Sequence, residues 1–193
     1  SIEQKKIFIA NNTVAINSDF KIDSKDKKSI VFIGTLYKEK KIHELINCYL
    51  EAKNKIDSEK FYKLEIIGNG VEFDEIQSMI KKYHLGDSII LHGSIFDEVK
   101  ISEIFKRAVI CVSPNQAGLS VLKSMGYGVP FITREDAITG GERYNIKNNY
   151  NGIFYNKKNE LTEIIINSFL QKDVFLKMGA NANEYYHSKA TPQ

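Results

Sequence analysis

Apolar and polar positions follow two rhythms along this chain. Short apolar runs, each closing on glycine or a polar turn, alternate with longer stretches whose apolar residues recur every three or four positions. The runs Ser29–Ile33, Lys63–Ile67, Ser88–Gly93, Val109–Ser113, Val129–Thr133 and Gly152–Tyr155 carry few charges and predict strands buried on both faces. Between them the spacing predicts helices over Ile42–Ile56, Val71–Tyr83, Glu98–Lys106, Leu119–Tyr127, Asn159–Leu170 and Asp173–Lys189. The first helix places Ile42, Leu45, Ile46, Tyr49 and Leu50 on one face, and the second places Phe73, Ile76, Met79 and Ile80. Lys6–Ala10 is a further short strand candidate. The weakly periodic, charged segment 14–28 reads as a linker, and 134–151 as a polar, glycine-containing loop. Strands alternating with helices imply an α/β fold: a parallel sheet with right-handed crossovers and helices on both faces. Two units result, a linker and lead-in strand over 1–28 and a single domain over 29–193.

In such sheets ligands bind beyond the carboxyl ends of the strands. Those ends here carry Gly34-Thr35, Gly68-Asn-Gly70, His92-Gly93 and Asn115 to Ser120, so a crevice lined by these residues is expected. At its centre lies the turn Pro114 to Gly118, emptying onto a helix that opens with Gly118, Leu119 and Ser120. Bare N–H groups and the positive end of the helix dipole at that point suit a phosphate. Lys40, in the loop after the first strand, either reaches such a phosphate or is a solvated loop lysine beside Lys38 and Lys41. Gly68-Asn-Gly70 is either half of a dinucleotide fingerprint or a tight turn. His92 contacts a ligand or caps the sheet, with the ligand favoured. Glu142, after two glycines, accepts from ligand hydroxyls or is a surface carboxylate. Lys123 points across the site or into solvent. Ser120 lacks a recognisable base partner, so no hydrolytic triad is read, and Met125, Tyr127 and Phe131 belong to the core.

Composition narrows the classes. The sequence is 42% hydrophobic and 26% charged with a formal net charge of +3, which fits a soluble globular domain. Lysines alternate with carboxylates, so no nucleic-acid arm is expected, and Lys25-Asp-Lys-Lys28 reads as a solvated loop. No apolar run is long enough to span a bilayer. Cys48 and Cys111 sit in apolar patterns and read as buried free thiols of a reducing, cytoplasmic compartment. The four histidines show no metal-ligand spacing, so neither a metal nor a cofactor is expected. The chain begins at Ser1 without a methionine, which points to a piece of a longer protein.

Several motifs in order carry a resemblance. Ile33-Gly-Thr-Leu-Tyr-Lys-Glu-Lys40 resembles a G-R-L-x-x-E-K loop, and Ile66-Ile-Gly-Asn-Gly-Val-Glu72 resembles I-G-x-G-P-E. Leu91-His-Gly93 matches F-x-G, and Ala108 through Pro114 matches A-D-x-x-V-x-P-S. Gly118-Leu-Ser120 and Gly128-Val-Pro-Phe-Ile132 match G-L-x and G-x-P-V-I, with Gly141-Glu142 and Asn151-Gly152 following. The segment from Ile30 to about Tyr186 thereby resembles the C-terminal, nucleotide-sugar-binding domain of a group 1 (family four) retaining glycosyltransferase. That family's GT-B architecture has two Rossmann-like halves.

The resemblance implies that Lys40 and the N–H groups of Gly118, Leu119 and Ser120 hold the donor diphosphate, and that His92-Gly93 borders the base. It implies a sugar transferred with retention from a nucleotide diphosphate sugar, the donor substrate, to an acceptor hydroxyl, commonly in surface polysaccharide or glycolipid assembly. It further implies a missing N-terminal acceptor domain, without which this chain is expected to be inactive, and a full-length protein able to touch the inner face of the membrane. Three departures stand out. The loop arginine is Thr35, and two glutamates expected at donor sugar and ribose are Asn115 and Lys123. The alternative reading is a non-catalytic nucleotide-binding module of the same fold.

Overall fold

The computed structural model describes residues 12–22, 26–56 and 58–191. The candidate strand Lys6–Ala10 lies outside them. Among the described residues eight strands and six α-helices follow one another: β1 (Ser29–Ile33), α1 (Ile42–Ile56), β2 (Lys63–Ile67), α2 (Phe73–Lys82), β3 (Ile89–Gly93), α3 (Glu98–Lys106), β4 (Ala108–Val112), β5 (Gln116–Ala117), α4 (Ser120–Gly126), β6 (Phe131–Arg134), β7 (Ile138–Thr139), β8 (Gly152–Tyr155), α5 (Lys158–Leu170) and α6 (Lys172–Lys189). Six strands form one sheet in the order β3-β2-β1-β4-β6-β8, and every pair is parallel. This is the doubly wound order, in which the chain builds outward from β1 in one direction and from β4 in the other. The crevice between the ends of β1 and β4 is its switch point.

Period-two alternation decides which helices cover which face. Ile30 and Phe32 of β1, with Leu64 and Ile66 of β2, join Leu45, Tyr49, Ile76, Leu161 and Ile165 in one core cluster, which α1, α2 and α5 close. Val31, Ile67 and Cys111 face the other way. They meet Ile104, Phe105, Val121, Met125 and Tyr186 in a second cluster beneath α3, α4 and α6. Met125, Tyr127 and Phe131 are fully buried, as their pattern predicts. Both cysteines are buried and free.

Two expectations need correction. Lys27 is not solvated: it is 2% exposed, and its Nζ donates to the Ala108 carbonyl at 2.8 Å, tying the lead-in segment to the start of β4. The strand expected from Val129 starts instead at Phe131. Pro130 has no N–H to give the ladder, so only its carbonyl serves, accepting from Cys111 N. The preceding segment is also packed. Val14, Ile16 and Phe20 lie against the second cluster, Tyr127 Oη accepts from Asn17 N, and Tyr186 Oη donates to the Val14 carbonyl.

Candidate functional site at the switch point

The loop leaving β1 and the loop leaving β2 touch, and two glycines permit it. A Cβ on Gly68, whose φ is +147°, would lie 1.8 Å from the Gly34 carbonyl oxygen, and one on Gly70 would lie 2.4 Å from that of Leu36. Backbone hydrogen bonds from Leu36 N to Asn69 O and from Glu72 N to Leu36 O use the space so gained. Loop-against-loop packing accounts for Gly68-Asn-Gly70 without a dinucleotide fingerprint.

After Gly34-Thr35 a turn of 3-10 helix spans Lys38–Lys40, and Lys41 takes the left-handed conformation, φ 54°, before α1 begins. That turn folds Lys40 back over the end of β1. A Cβ added to Gly34 would come 3.4 Å from Lys40 Nζ. Lys40 is only 9% exposed and makes no ion pair among the described residues. Burial lowers its pKa, partly offset by the field of Cys111. A buried ammonium without a counter-ion at a switch point is electrostatically prepared for an anion.

The turn on the other side of the switch point is held rigidly. Ser113 Oγ donates to the Gln116 carbonyl at 2.8 Å, and Thr133 Oγ1 donates to that of Ser113 at 2.8 Å. Residues Gln116–Ala117 pair in parallel with Ile138–Thr139, forming a second, two-stranded sheet inside what the sequence presents as a turn and a polar loop. Asn115 Nδ2 donates to the Glu39 carbonyl at 3.0 Å, which joins this turn to the turn that carries Lys40. Gly118 has open space where a Cβ would project. Leu119 caps α4 without a side-chain hydrogen bond, and the first N–H groups of a helix have no acceptor within it.

The remaining predicted residues are placed as follows. Gly34, Thr35 and Gly68 line a cavity of about 330 Å³ whose third wall is Ser94–Phe96. That wall was not among the expected lining, although an aromatic three residues after the strand-ending Gly93, in the loop Ser94-Ile-Phe-Asp97, was visible; Phe96 is 92% exposed.

His92 precedes the wall without lining the cavity. Its Nε2 lies 2.9 Å from Glu65 Oε2, on the sheet face beneath α3. Glu65, 1% exposed, also accepts from Arg107 Nε at 2.7 Å and Nη2 at 2.6 Å. Burial would raise the Glu65 pKa, but the hydrogen bonds from His92 and Arg107 and the arginine's charge outweigh it and hold the carboxyl down at about 2.

Lys123 points neither to solvent nor freely across the site. Its Nζ pairs with Glu98 Oε2 at 2.6 Å, while Tyr127 Oη bonds the other oxygen of Glu98. A carboxylate thus stands beside position 123 although the residue there is a lysine. Glu142 is buried and engaged: Asn12 Nδ2 at 2.7 Å, Gly140 N at 3.1 Å and Thr139 Oγ1 at 3.4 Å all donate to it, so it organises its own loop. Among the described residues no cluster of His, Cys, Asp and Glu has the geometry to hold a metal, and no helix is long and apolar enough to cross a membrane.

Fold and site together define a doubly wound α/β domain with a crevice at its switch point and a buried lysine, Lys40, beside it. Residues 15–185 match the model of the family described as glycosyl transferases group 1, and the chain belongs to that family. Among solved structures it resembles a Staphylococcus aureus TarM mutant in complex with fondaparinux, alpha-GlcNAc-glycerol and UDP. The TM-score is 0.78 at 23% identity, over 95% of this chain and 36% of that one. It also resembles the C-terminal domain of the Francisella tularensis group 1 glycosyl transferase LpcC, with TM-score 0.71 at 19% identity, over 86% of this chain and 87% of that one. The fold is that of the C-terminal domains of GT-B glycosyltransferases. A curated relative, the Bacillus anthracis N-acetyl-alpha-D-glucosaminyl L-malate synthase, is 20% identical over 128 residues, 66% of this chain. The chain spans about a third of that relative's length (32%).

Proposed function

We propose that this chain is the donor-binding part of a retaining glycosyltransferase that uses a nucleoside diphosphate sugar. The observation that carries this reading is Lys40, a buried ammonium without a carboxylate partner among the described residues, positioned over the end of β1 and joined through the Asn115–Glu39 bond to the turn that leads into α4. In this reading the diphosphate lies between Lys40 and the N–H groups of Gly118, Leu119 and Ser120. The nucleoside extends along the cavity bounded by Gly34-Thr35, Gly68 and Ser94–Phe96, and Gly93 borders the base through its backbone.

When the bond from the anomeric carbon to the diphosphate breaks, its electron pair goes to the diphosphate oxygen. Lys40 and the N–H groups face that growing charge. The acceptor oxygen then bonds the same carbon on the face the diphosphate left, and its proton passes to the departing phosphate or to water. The acceptor site belongs to an N-terminal half, so the chain by itself binds donor but does not turn over. A role in surface polysaccharide or glycolipid assembly in the cytoplasm is part of the same proposal.

A second reading, a nucleotide-binding module without transfer, is favoured by Asn115 at a position where a carboxylate was expected. Calorimetric titration with UDP and UDP-sugars tests the binding common to both readings. Transfer by the full-length protein, compared with its Asn115→Ala form, separates them. Absence of binding at millimolar nucleotide rejects both.

A further inference from the structure

The stretch from Arg143 through β8 to the start of α5 carries a surface that the donor site does not use. From Arg143 to Lys158 the sequence contains no aspartate or glutamate, while its basic residues are Arg143, Lys147, Lys157 and Lys158. Within it two cations are each flanked by two rings. The Arg143 guanidinium lies 5.5 Å from the centroid of Tyr144 and 5.9 Å from that of Phe154. Lys147 Nζ lies 5.8 Å from the Tyr150 ring and 5.7 Å from the Tyr185 ring of α6. Neither cation pairs with a carboxylate among the described residues. The nearest acid in sequence, Glu142, is buried and engaged by Asn12, Thr139 and Gly140. Tyr144 is 78% exposed, and Tyr150 is exposed as well. The backbone beneath is fixed, since Asn181 Nδ2 donates to the Tyr150 carbonyl and Tyr185 Oη to Asn145 Oδ1.

We propose that this patch docks the domain on an anionic membrane surface. Charge complementarity selects the partner: cations without counter-ions want anionic head groups, and exposed tyrosines settle at the boundary between head groups and acyl chains. A bilayer surface rewards both parts at once. Docking through this segment holds the domain on the bilayer by the side of the sheet where β8 forms the edge. The inference stands apart from the donor site, because none of its residues lines the crevice.

Co-sedimentation of the chain with vesicles tests it, comparing equimolar phosphatidylglycerol and phosphatidylcholine with phosphatidylcholine alone. The chain is expected to sediment with the anionic vesicles, less so as salt is added. At the usual worth of a basic residue near such a surface, Arg143→Gln with Lys147→Gln lowers the partition coefficient about 30-fold. Tyr144→Ser alone, a change at an exposed ring that leaves the fold intact, also weakens it. Lys81→Gln with Lys100→Gln, off the patch, changes it less than twofold. Equal partition into both vesicle types overturns the proposal, as does an equal loss in the off-patch pair. So does patch-dependent binding of soluble polyphosphate without any vesicle binding, which would make the surface a polymer site.

Discussion

Replacing Lys40 by methionine keeps an unbranched, flexible side chain one atom shorter and removes the ammonium with its charge. Two effects of opposite sign follow. In the free protein the ammonium is buried without a counter-ion among the described residues, and burial lowers its pKa below the ordinary 10.5. Charging the group therefore costs free energy in the folded state that the unfolded chain does not bear. For a lysine with a depressed folded pKa, stability is lowest at pH below that pKa and rises as pH climbs from it through 10.5, where the unfolded chain alone still holds the proton. Lys40→Met removes this penalty, so at neutral pH the variant melts no lower than the parent and its stability loses that alkaline rise.

Donor binding moves the other way. A hydrogen bond between charged partners contributes about 1.5–3 kcal/mol, so the dissociation constant for UDP rises about 10- to 150-fold. Calorimetric titration with UDP and thermal melts of the same samples read both effects. A variant that melts several degrees lower yet binds UDP within twofold of the parent would make Lys40 a structural residue and not a donor ligand.

Other expectations concern the loops and the buried carboxylate. Gly68→Ala places a Cβ 1.8 Å from the Gly34 carbonyl at a φ of +147°, and such strain costs about 1–3 kcal/mol, a fall of roughly 2–12 °C in Tm for a domain of this size. Glu65, held at about 2, contributes stability that is complete above its unfolded pKa near 4.5 and is lost as pH falls toward 2. The loss is on the order of 2 kcal/mol once the half-exposed Arg107 is allowed for, and Arg107→Gln flattens the acid limb of a Tm–pH curve. Phe96→Ala leaves Tm within about 1 °C, because the ring is exposed, but raises the dissociation constant for UDP about 3- to 10-fold through lost ring contact with the base.

The helices and strands were legible where burial imposes a period. Ile42–Ile56, Lys63–Ile67, Glu98–Lys106 and Gly152–Tyr155 have the boundaries that their patterns predict. The parallel class followed from alternation of elements, and the glycines and polar residues after the strands pointed to the edge that holds the crevice. The two-stranded sheet of Gln116–Ala117 and Ile138–Thr139 was hidden, because two residues carry no period and their pairing spans a loop. Side-chain commitments were hidden for a related reason. His92 meets Glu65, Lys123 meets Glu98 and Lys27 meets Ala108 across sequence distances that only the strand order brings together. Lys40 was readable as a candidate, but its burial over Gly34 depends on the left-handed turn at Lys41, which lysine's own preferences do not announce.

The most direct test of the donor-site reading is a backbone amide NMR titration of the chain with UDP. Saturable shifts confined to residues 34–41, 68–70, 93–96 and 115–121 are expected, absent at the same UDP concentration in Lys40→Met. Shifts clustered instead around Glu65 and Arg107, or none up to millimolar UDP, would contradict that reading.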